Sequence, residues 1–277
     1  MPELPEVETV RRALEPHLID AVIAGVDATV PSLRRPLDLP GLRRTTVGRR
    51  ILCVRRRGKF LVAECSGARG LLLHLGMTGA FRICERHEPT EPYDRVLWDL
   101  ADGRSWRLSD VRRFSIVEPC RLPEPGGWPE ALHALGPEPL SPDFDAQTVY
   151  AATRRRTKPI KNLLLDQEFV AGVGNIYASE ALFRARLDPR RPAASLNEED
   201  CEMLVASLRT TLTEALAAGG TTISDFRSVD GSEGNFHREL HVYGRTGETC
   251  RRCGRDNAIT RSVQSGRSTF FCPSCQR

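Results

Sequence analysis

Glu118-Pro119-Cys120-Arg121-Leu122-Pro123-Glu124-Pro125-Gly126-Gly127-Trp128-Pro129 divides this chain into two kinds of sequence. The enrichment continues through Pro137, Pro139 and Pro142 to Phe144, with one short helical segment expected around 130–135. Proline lacks an N–H and fixes φ, so such a run interrupts sheet and helix alike and reads as a linker or hinge. Before it, from Ala21 to about Val117, short apolar or alternating runs recur between turns, at 22–26, 50–54, 60–63, 70–75, 96–100 and 105–108. That pattern predicts a mainly antiparallel sandwich or barrel. After it, from Ala146 to Gly219, the periodicity is helical. Ser195 with Glu198 reads as a capping box, Leu204, Leu208, Leu212 and Leu216 follow at four-residue spacing, and Gly219-Gly220 stops the helix. The fold class is α+β and multidomain.

A further helix is expected over 1–17, ending near Pro16. Pro5 suits its first position, Glu6 and Glu8 its first turn, and Val7, Val10 and Leu14 give it a buried face. The same residues carry a chemical reading. A small second residue lets an initiator Met be removed, which leaves Pro2 with a free secondary amine. An α-amino group titrates near neutral pH, at about 7.7–8.0, so part of it is nucleophilic. Attack on an aldehyde-like carbon gives an iminium ion whose charge eases elimination at the neighbouring carbon. Glu3 and Glu6 stand beside it as candidate acid and base. A capped helix start accounts for these residues without any chemistry.

At the other end, Cys250-x2-Cys253 and Cys272-x2-Cys275 enclose eighteen residues. Four thiolates at this spacing suit one structural, tetrahedral zinc ion on a β-hairpin, with Arg261 and Arg267 inside the finger. Four cysteine ligands leave no open position for catalytic water. Disulfides are the alternative, and they suit an oxidising compartment. The other five cysteines, Cys53, Cys65, Cys84, Cys120 and Cys201, are scattered and read as small apolar residues.

Between the ends, Gly172 and Gly174 break a helical pattern just before a new helix near Asn175. A glycine turn opening onto a helix N-terminus is an anion-binding arrangement, and equally an ordinary helix–turn–helix corner. Residues 219–236 hold glycines and polar side chains without periodicity, as a surface loop or a lid would.

The chain has 277 residues, 40% hydrophobic and 27% charged, with a net charge of +4. This describes a globular chain with a real core. No apolar run reaches membrane-spanning length, and the acidic start is unlike a signal peptide, so a cytoplasmic location is expected. Basic clusters at 55–57, at 154–161 and in the last 27 residues suggest a polyanionic partner.

Taken together, Pro2-Glu3-Leu4-Pro5-Glu6-Val7-Glu8, the Gly172–Tyr177 turn and the four-cysteine tail, in this order, resemble the formamidopyrimidine-DNA glycosylases, bacterial base-excision repair enzymes for oxidised purines. The resemblance covers essentially the whole chain, and the start is closer to this branch than to the sister endonuclease VIII proteins, which favour oxidised pyrimidines. It implies an N-terminal β-sandwich with its terminal helix (1–132), a linker (133–145), a helix-two-turn-helix domain (146–240) with a lesion-capping loop (219–236), and a zinc finger (241–277). It implies that Pro2 is the Schiff-base nucleophile, Glu3 the general acid, Glu6 a second acidic group, and Lys59 and Arg267 the basic groups linked to β- and δ-elimination. His74, Asn175 and Arg156 would contact DNA. Met77, Arg112 and Phe114 would fill the gap left by the extruded base. Thr221, Thr222, Ser224 and Tyr243 would belong to the part that closes over it. The expected partner is damaged double-stranded DNA lying in a basic cleft and bound by a monomer, with no redox cofactor and no catalytic metal. Four phosphate contacts would give a log–log salt slope of about −3 to −4.

This chain departs from the family strings in three places. Tyr93-Asp94-Arg95 replaces His-Asp-His. Asp110-Val111-Arg112-Arg113-Phe114-Ser115 replaces Asp-Pro-Arg-Arg-Phe-Gly. Pro159 enters the basic segment after Lys158. Two readings from other classes compete. A non-catalytic zinc-finger DNA-binding protein leaves Pro2 without a purpose, and a tautomerase using Pro2 as base leaves the finger without one.

Overall fold

In a computed structural model that describes residues 1–124, 126–221 and 236–277, the chain forms two compact units. One holds Met1–His133 and Ala218–Asn235, and the other Ala134–Ala217 and Phe236–Arg277.

The first unit starts with α1 (Leu4–Leu18), which buries Leu4, Val7, Val10, Leu14 and Leu18 along one face. Pro16 lies inside this helix rather than at its end. In the last turn a proline removes only one main-chain donor, and the chain runs on until Ile19 N–H closes on Glu15 O. There follow β1 (Ile23–Ala28), α2 (Leu39–Thr46), β2 (Ile51–Arg57), β3 (Phe60–Cys65), β4 (Arg69–His74), β5 (Gly79–Glu85), β6 (Asp94–Leu100), β7 (Arg104–Asp110) and β8 (Ile116–Arg121). The helix α2 is an addition to the strand-only reading of this region. Asp38 caps it by accepting from Gly41 N–H at 2.8 Å, and Pro40 sits in its first turn. The strand β5 is likewise additional, and β8 runs through Pro119 to Arg121, past the expected start of the linker. Its one ladder is with β4, and an edge strand tolerates proline.

The strands form two antiparallel sheets, in the orders β1-β6-β7-β5 and β2-β3-β4-β8. Both sheets and α1 feed one core, in which Trp98 and Trp106 stack with centroids 4.4 Å apart. Two sheets with separate edges make a sandwich, not a closed barrel. The two connections 75–78 and 111–115 each pass between the sheets, because β4 pairs with β8 in one and β5 with β7 in the other. They therefore lie side by side. Burial pushes the thiols of Cys65, in the core, and Cys120, partly buried, up to about 12 and about 11, so neither is a ready nucleophile.

The second unit holds α3 (Ala146–Thr153), α4 (Ile160–Leu164), α5 (Asn175–Arg184), α6 (Glu198–Ala217) and a hairpin of β9 (Thr260–Gln264) with β10 (Arg267–Phe271). The box that starts α6 is Asn197 with Asp200, not Ser195 with Glu198. Asp200 N–H donates to Asn197 Oδ1 at 2.8 Å, and Asn197 N–H to Asp200 Oδ2 at 3.2 Å. Ser195 instead closes a short 3-10 turn, its hydroxyl donating to Pro192 O. The hairpin turns at Ser265 and Gly266, both with positive φ, as a two-residue loop requires. The finger shares its apolar core with Phe183 at the end of α5. The Glu180 carboxylate, buried in α5, aims the chain into the finger by accepting the N–H groups of His241, Val242 and Tyr243 at 2.8, 2.9 and 2.8 Å. No helix among the described residues is long and apolar enough to cross a membrane.

Removing the Glu180 carboxylate takes the acceptor from three backbone donors, at about 1–3 kcal/mol each. Glu180→Ala is expected to destabilise the second unit by about 3 kcal/mol or more, and Glu180→Gln, which keeps one oxygen, by less. Chemical denaturation followed by circular dichroism measures both.

Candidate active site and nucleic-acid interface

At the start of α1 the two expected acids are nearly inaccessible, Glu3 at 3% and Glu6 at 2% exposure. Glu6 holds two segments at once. Its Oε2 accepts Glu3 N–H at 2.8 Å and its Oε1 accepts Thr221 N–H at 2.8 Å. Gly220, at φ +86°, makes that approach feasible, since a Cβ there would lie 3.0 Å from Glu6 Oε1. Thr221 thus stands at the base of the 219–236 segment, tied to α1. Thr222 and Ser224 lie outside the described residues.

The terminal amine belongs to Met1, with Pro2 buried next to it. Its pKa is lowered from the ordinary value. Burial is the largest cause, Glu3 and Glu6 oppose it, and the charges of Lys59 and Arg112 reinforce it. These groups therefore share one electrostatic neighbourhood. Lys59, in the β2–β3 turn, is itself buried, at 6% exposure. His74 at the end of β4 belongs to the same neighbourhood. Burial, with help from Lys59, Arg34 and the terminal amine, pulls its pKa down to about 4. Its Nδ1 accepts Gly76 N–H at 2.9 Å, and its ring packs on Phe60 at 4.8 Å. The imidazole is neutral at physiological pH, with its proton on Nε2.

Met77, Arg112 and Phe114 occupy the two adjacent inter-sheet connections of the first unit. Met77 is 38% and Phe114 42% exposed, and the Arg112 guanidinium lies 4.7 Å from the Phe114 ring centre. Exposed apolar side chains beside a guanidinium are costly in water and well suited to stacking against bases. Val111, in place of the family proline, is exposed, and Ser115, in place of glycine, is fully buried.

In the second unit, Asn175 is the first residue of α5 and does not cap it; Gly174 does. Its side chain instead reaches the finger. Asn175 Nδ2 donates to Ser268 O at 2.9 Å, and Asn175 Oδ1 accepts from Lys161 Nζ at 2.6 Å. Lys161 is fully buried and also donates to Ser268 O at 2.9 Å and to Thr269 Oγ1 at 2.8 Å. These bonds fix the first residues of β10 beside exposed Arg267. Arg156 is exposed and only loosely paired, 3.9 Å from Asp166. Pro159 precedes α4 without disturbing the strong pair of Lys158 with Asp166 at 2.9 Å. The Tyr243 ring packs edge-on against Phe270, 4.9 Å away, and its N–H is held by Glu180.

The four finger cysteines place their sulfurs within 4.8 Å of one another, with Cys250–Cys275 at 3.8 Å and Cys253–Cys272 at 3.9 Å. An ideal tetrahedron with metal–sulfur bonds of about 2.3 Å has edges of about 3.8 Å. Burial raises the Cys250 thiol, but the backbone N–H groups of Cys253 and Arg252 outweigh it and draw the thiol down to about 7. Burial and the neighbouring cysteines push Cys275 up to about 12. Four sulfurs this close are uncomfortable as thiols and well suited to one structural zinc.

The sequence reading named the acids, the cysteines and, through the resemblance, the wedge; it placed Lys161 in a basic stripe, whereas the side chain is fully buried, and gave no role to Glu180 or Asp110. All three are buried charged side chains inside helical or strand patterns. A charged residue at an apolar phase position was the available signal.

Family models match three stretches: the formamidopyrimidine-DNA glycosylase N-terminal domain over residues 1–117, the H2TH domain of the same enzymes over 135–227, and a zinc finger found in FPG and IleRS over 247–277. Curated formamidopyrimidine-DNA glycosylases from Laribacter hongkongensis and Paracoccus denitrificans are 46% and 45% identical, each aligned over the whole of both chains. Among solved structures, MutM (FPG) from Thermus thermophilus superposes with a TM-score of 0.86 at 45% identity, over 99% of this chain and 98% of that one. A Lactococcus lactis FPG mutant bound to Fapy-dG-containing DNA gives 0.89 at 36% identity, over all of both chains.

Metal analysis of the purified protein is expected to give one zinc per chain. Because binding energy at such a site is folding energy, chelation is expected to unfold the 247–277 finger and release the ion only as the hairpin signal is lost. Mass spectrometry of the metal with parallel circular dichroism reads both.

Proposed function

Since this chain belongs to the formamidopyrimidine-DNA glycosylase family, we propose that it excises oxidised purines, 8-oxoguanine and formamidopyrimidines, from duplex DNA and then cuts the abasic strand through a Schiff base on Pro2. The observation that carries the reading is the buried N-terminal neighbourhood. Burial there lowers the pKa of the Met1 amine although two carboxylates adjoin it, and Pro2, the next residue and itself buried, lies in the same surroundings, which favour an uncharged amine once Met1 is removed.

The sequence of steps begins with removal of Met1, which turns Pro2 N from an amide into a secondary amine. That nitrogen attacks C1′ of the damaged nucleotide. The base leaves as the bond from Pro2 N to C1′ replaces the glycosidic bond, taking the proton released from that nitrogen; Glu3 then protonates O4′ as the C1′–O4′ bond breaks, and the ring-opened sugar is held as an iminium ion. Loss of a C2′ proton expels the 3′ phosphate, and loss of a further proton expels the 5′ phosphate. Water then hydrolyses the iminium and frees Pro2. Lys59 and Arg267 are assigned to the phosphates and to proton movement in the eliminations. Glu6 takes the role of holding α1 to the Thr221 segment, and its contribution to catalysis runs through that placement. Asn175 gives one amide N–H to Ser268 O and is assigned to offer the other to a phosphate, with Lys161 holding its Oδ1. Zinc takes no part in a step. It supplies the fold that carries Arg267.

His74 enters this reading as a hydrogen-bond donor and not as a charge, because its pKa is held near 4. The cationic phosphate contacts are then Lys59, Arg156 and Arg267, and the log–log salt slope is expected near about −3, the shallow end of the range for four contacts. His74→Ala is expected to weaken binding and leave the slope unchanged, while Lys59→Ala reduces the slope by about 1. Titrations of a lesion duplex at several salt concentrations check this.

Borohydride reduction of protein with a confirmed Pro2 terminus, mixed with a duplex carrying 8-oxoguanine opposite cytosine, is expected to give a covalent adduct mapping to Pro2. Burial of the surroundings of Pro2, which lowers the Met1 amine, is expected to move the acidic limb of trapping below that of an exposed N-terminal proline. Glu3→Gln removes a charge that raises the amine, so whatever adduct forms has its limb at still lower pH. Lys59→Ala removes a charge that lowers it and moves the limb up. An adduct elsewhere, or none beside tight duplex binding, leaves a DNA-binding protein without this chemistry.

A further inference from the structure

The two wedge-bearing connections share a single buried carboxylate. Asp110, the last residue of β7, is fully buried. Its Oδ1 accepts from Thr78 Oγ1 at 2.5 Å and from Arg112 N–H at 3.1 Å. Its Oδ2 accepts from Ser115 N–H at 2.8 Å and lies 2.7 Å from Ser115 Oγ. The single Ser115 hydroxyl proton faces a second acceptor, Leu75 O, at 3.1 Å. Thr78 Oγ1 in turn accepts Arg112 N–H at 3.1 Å. One carboxylate therefore binds Thr78, the residue after Met77, and the backbone on both sides of Phe114. The two connections also touch directly. Gly76, at φ +63°, lies so close that a Cβ would fall 2.3 Å from the Phe114 carbonyl carbon, and one on Gly79 would fall 2.4 Å from Ser115 Oγ.

We propose that Asp110, Thr78 and Ser115 are positioning residues that lock the Met77 and Arg112–Phe114 connections into one preformed body, so that the wedge enters the duplex without first being ordered. The inference rests on the proposed function and on the wedge role of those three side chains. Its chemistry is simple. Ordering two loops at the moment of insertion would cost conformational entropy in the step that extrudes the base. A network complete beforehand removes that cost. Where the string that this stretch resembles has glycine, Ser115 offers Asp110 a hydroxyl.

The test separates extrusion from chemistry. Single-turnover excision is measured on a duplex with 8-oxoguanine opposite cytosine, and strand cleavage on a single-stranded oligonucleotide with a preformed abasic site, where no base pair opens and no gap needs filling. Thr78→Val and Ser115→Gly are expected to slow duplex excision by about fivefold to tenfold each while single-strand cleavage keeps its wild-type rate. Thr78→Ser, which restores the hydroxyl, is expected to restore the duplex rate. Equal losses on both substrates, or unchanged duplex excision, would overturn the proposal. A Met77→Ala, Phe114→Ala double variant with wild-type duplex excision would remove the wedge reading and the proposal with it. Wild-type protein that processes neither substrate would instead remove the proposed function on which both stand.

Discussion

Buried carboxylates that accept backbone N–H groups are the constraint on which this structure turns. Glu6 joins the first turn of α1 to Thr221, Asp110 joins two inter-sheet connections, and Glu180 joins α5 to the chain entering the finger. Each has less than 3% of its surface exposed. Taking a carboxylate out of water is expensive, and the expense is offset only when its lone pairs are filled with good geometry. A main-chain donor does this better than a lysine or arginine would, since it is already ordered. The result is a joint with a single solution. The segments so joined are those that carry the proposed chemistry, the wedge and the finger.

The proposed wedge illustrates what this arrangement would achieve. Side chains that must enter a base stack usually ride on loops, and loops are the least ordered parts of a fold. Here the carriers are loops in connectivity but not in stability. Each is short, each is pinned at both ends by a β ladder, and the two touch backbone to backbone at Gly76 and Phe114. Arg113, at φ +57°, marks where the backbone bends to bring Arg112 over Phe114. Sandwich topology itself creates the site, because adjacent connections can cross between sheets only where β4 pairs with β8 and β5 with β7.

Much of this was legible in the residue order, and the exceptions have physical causes. Local signals worked: the strand runs, the cysteine spacing, the glycine pair before Asn175 and the stop at Gly219-Gly220 all depend on neighbours in sequence. The Asp38-Leu39-Pro40 cap was equally local, but it stood inside a region already read as strands. Capping by Asn197 rather than Ser195 was a choice between two polar residues two positions apart, settled by where the preceding turn closes. The carboxylate joints were illegible for another reason. Glu6 and Thr221 are 215 positions apart, and a backbone N–H leaves no mark in a sequence. The amide of Asn175 was likewise read as free for capping or phosphate, whereas Lys161 and the Ser268 carbonyl hold it.

The N-terminal neighbourhood is where these constraints meet the proposed chemistry. Two carboxylates beside an amine would ordinarily keep it protonated, and a protonated amine is no nucleophile. Burial outweighs them and lowers the pKa of the Met1 amine, with Lys59 and Arg112 acting in the same sense. Glu6 is already committed to two N–H donors, so part of its negative charge is spread into the backbone instead of being directed wholly at the amine. Under the proposed function, phosphates approaching Lys59 would weaken one of the forces that lower the amine, while exclusion of water by the duplex would strengthen the largest. Under that proposal the largest contribution, desolvation, is the one that a bound duplex would deepen.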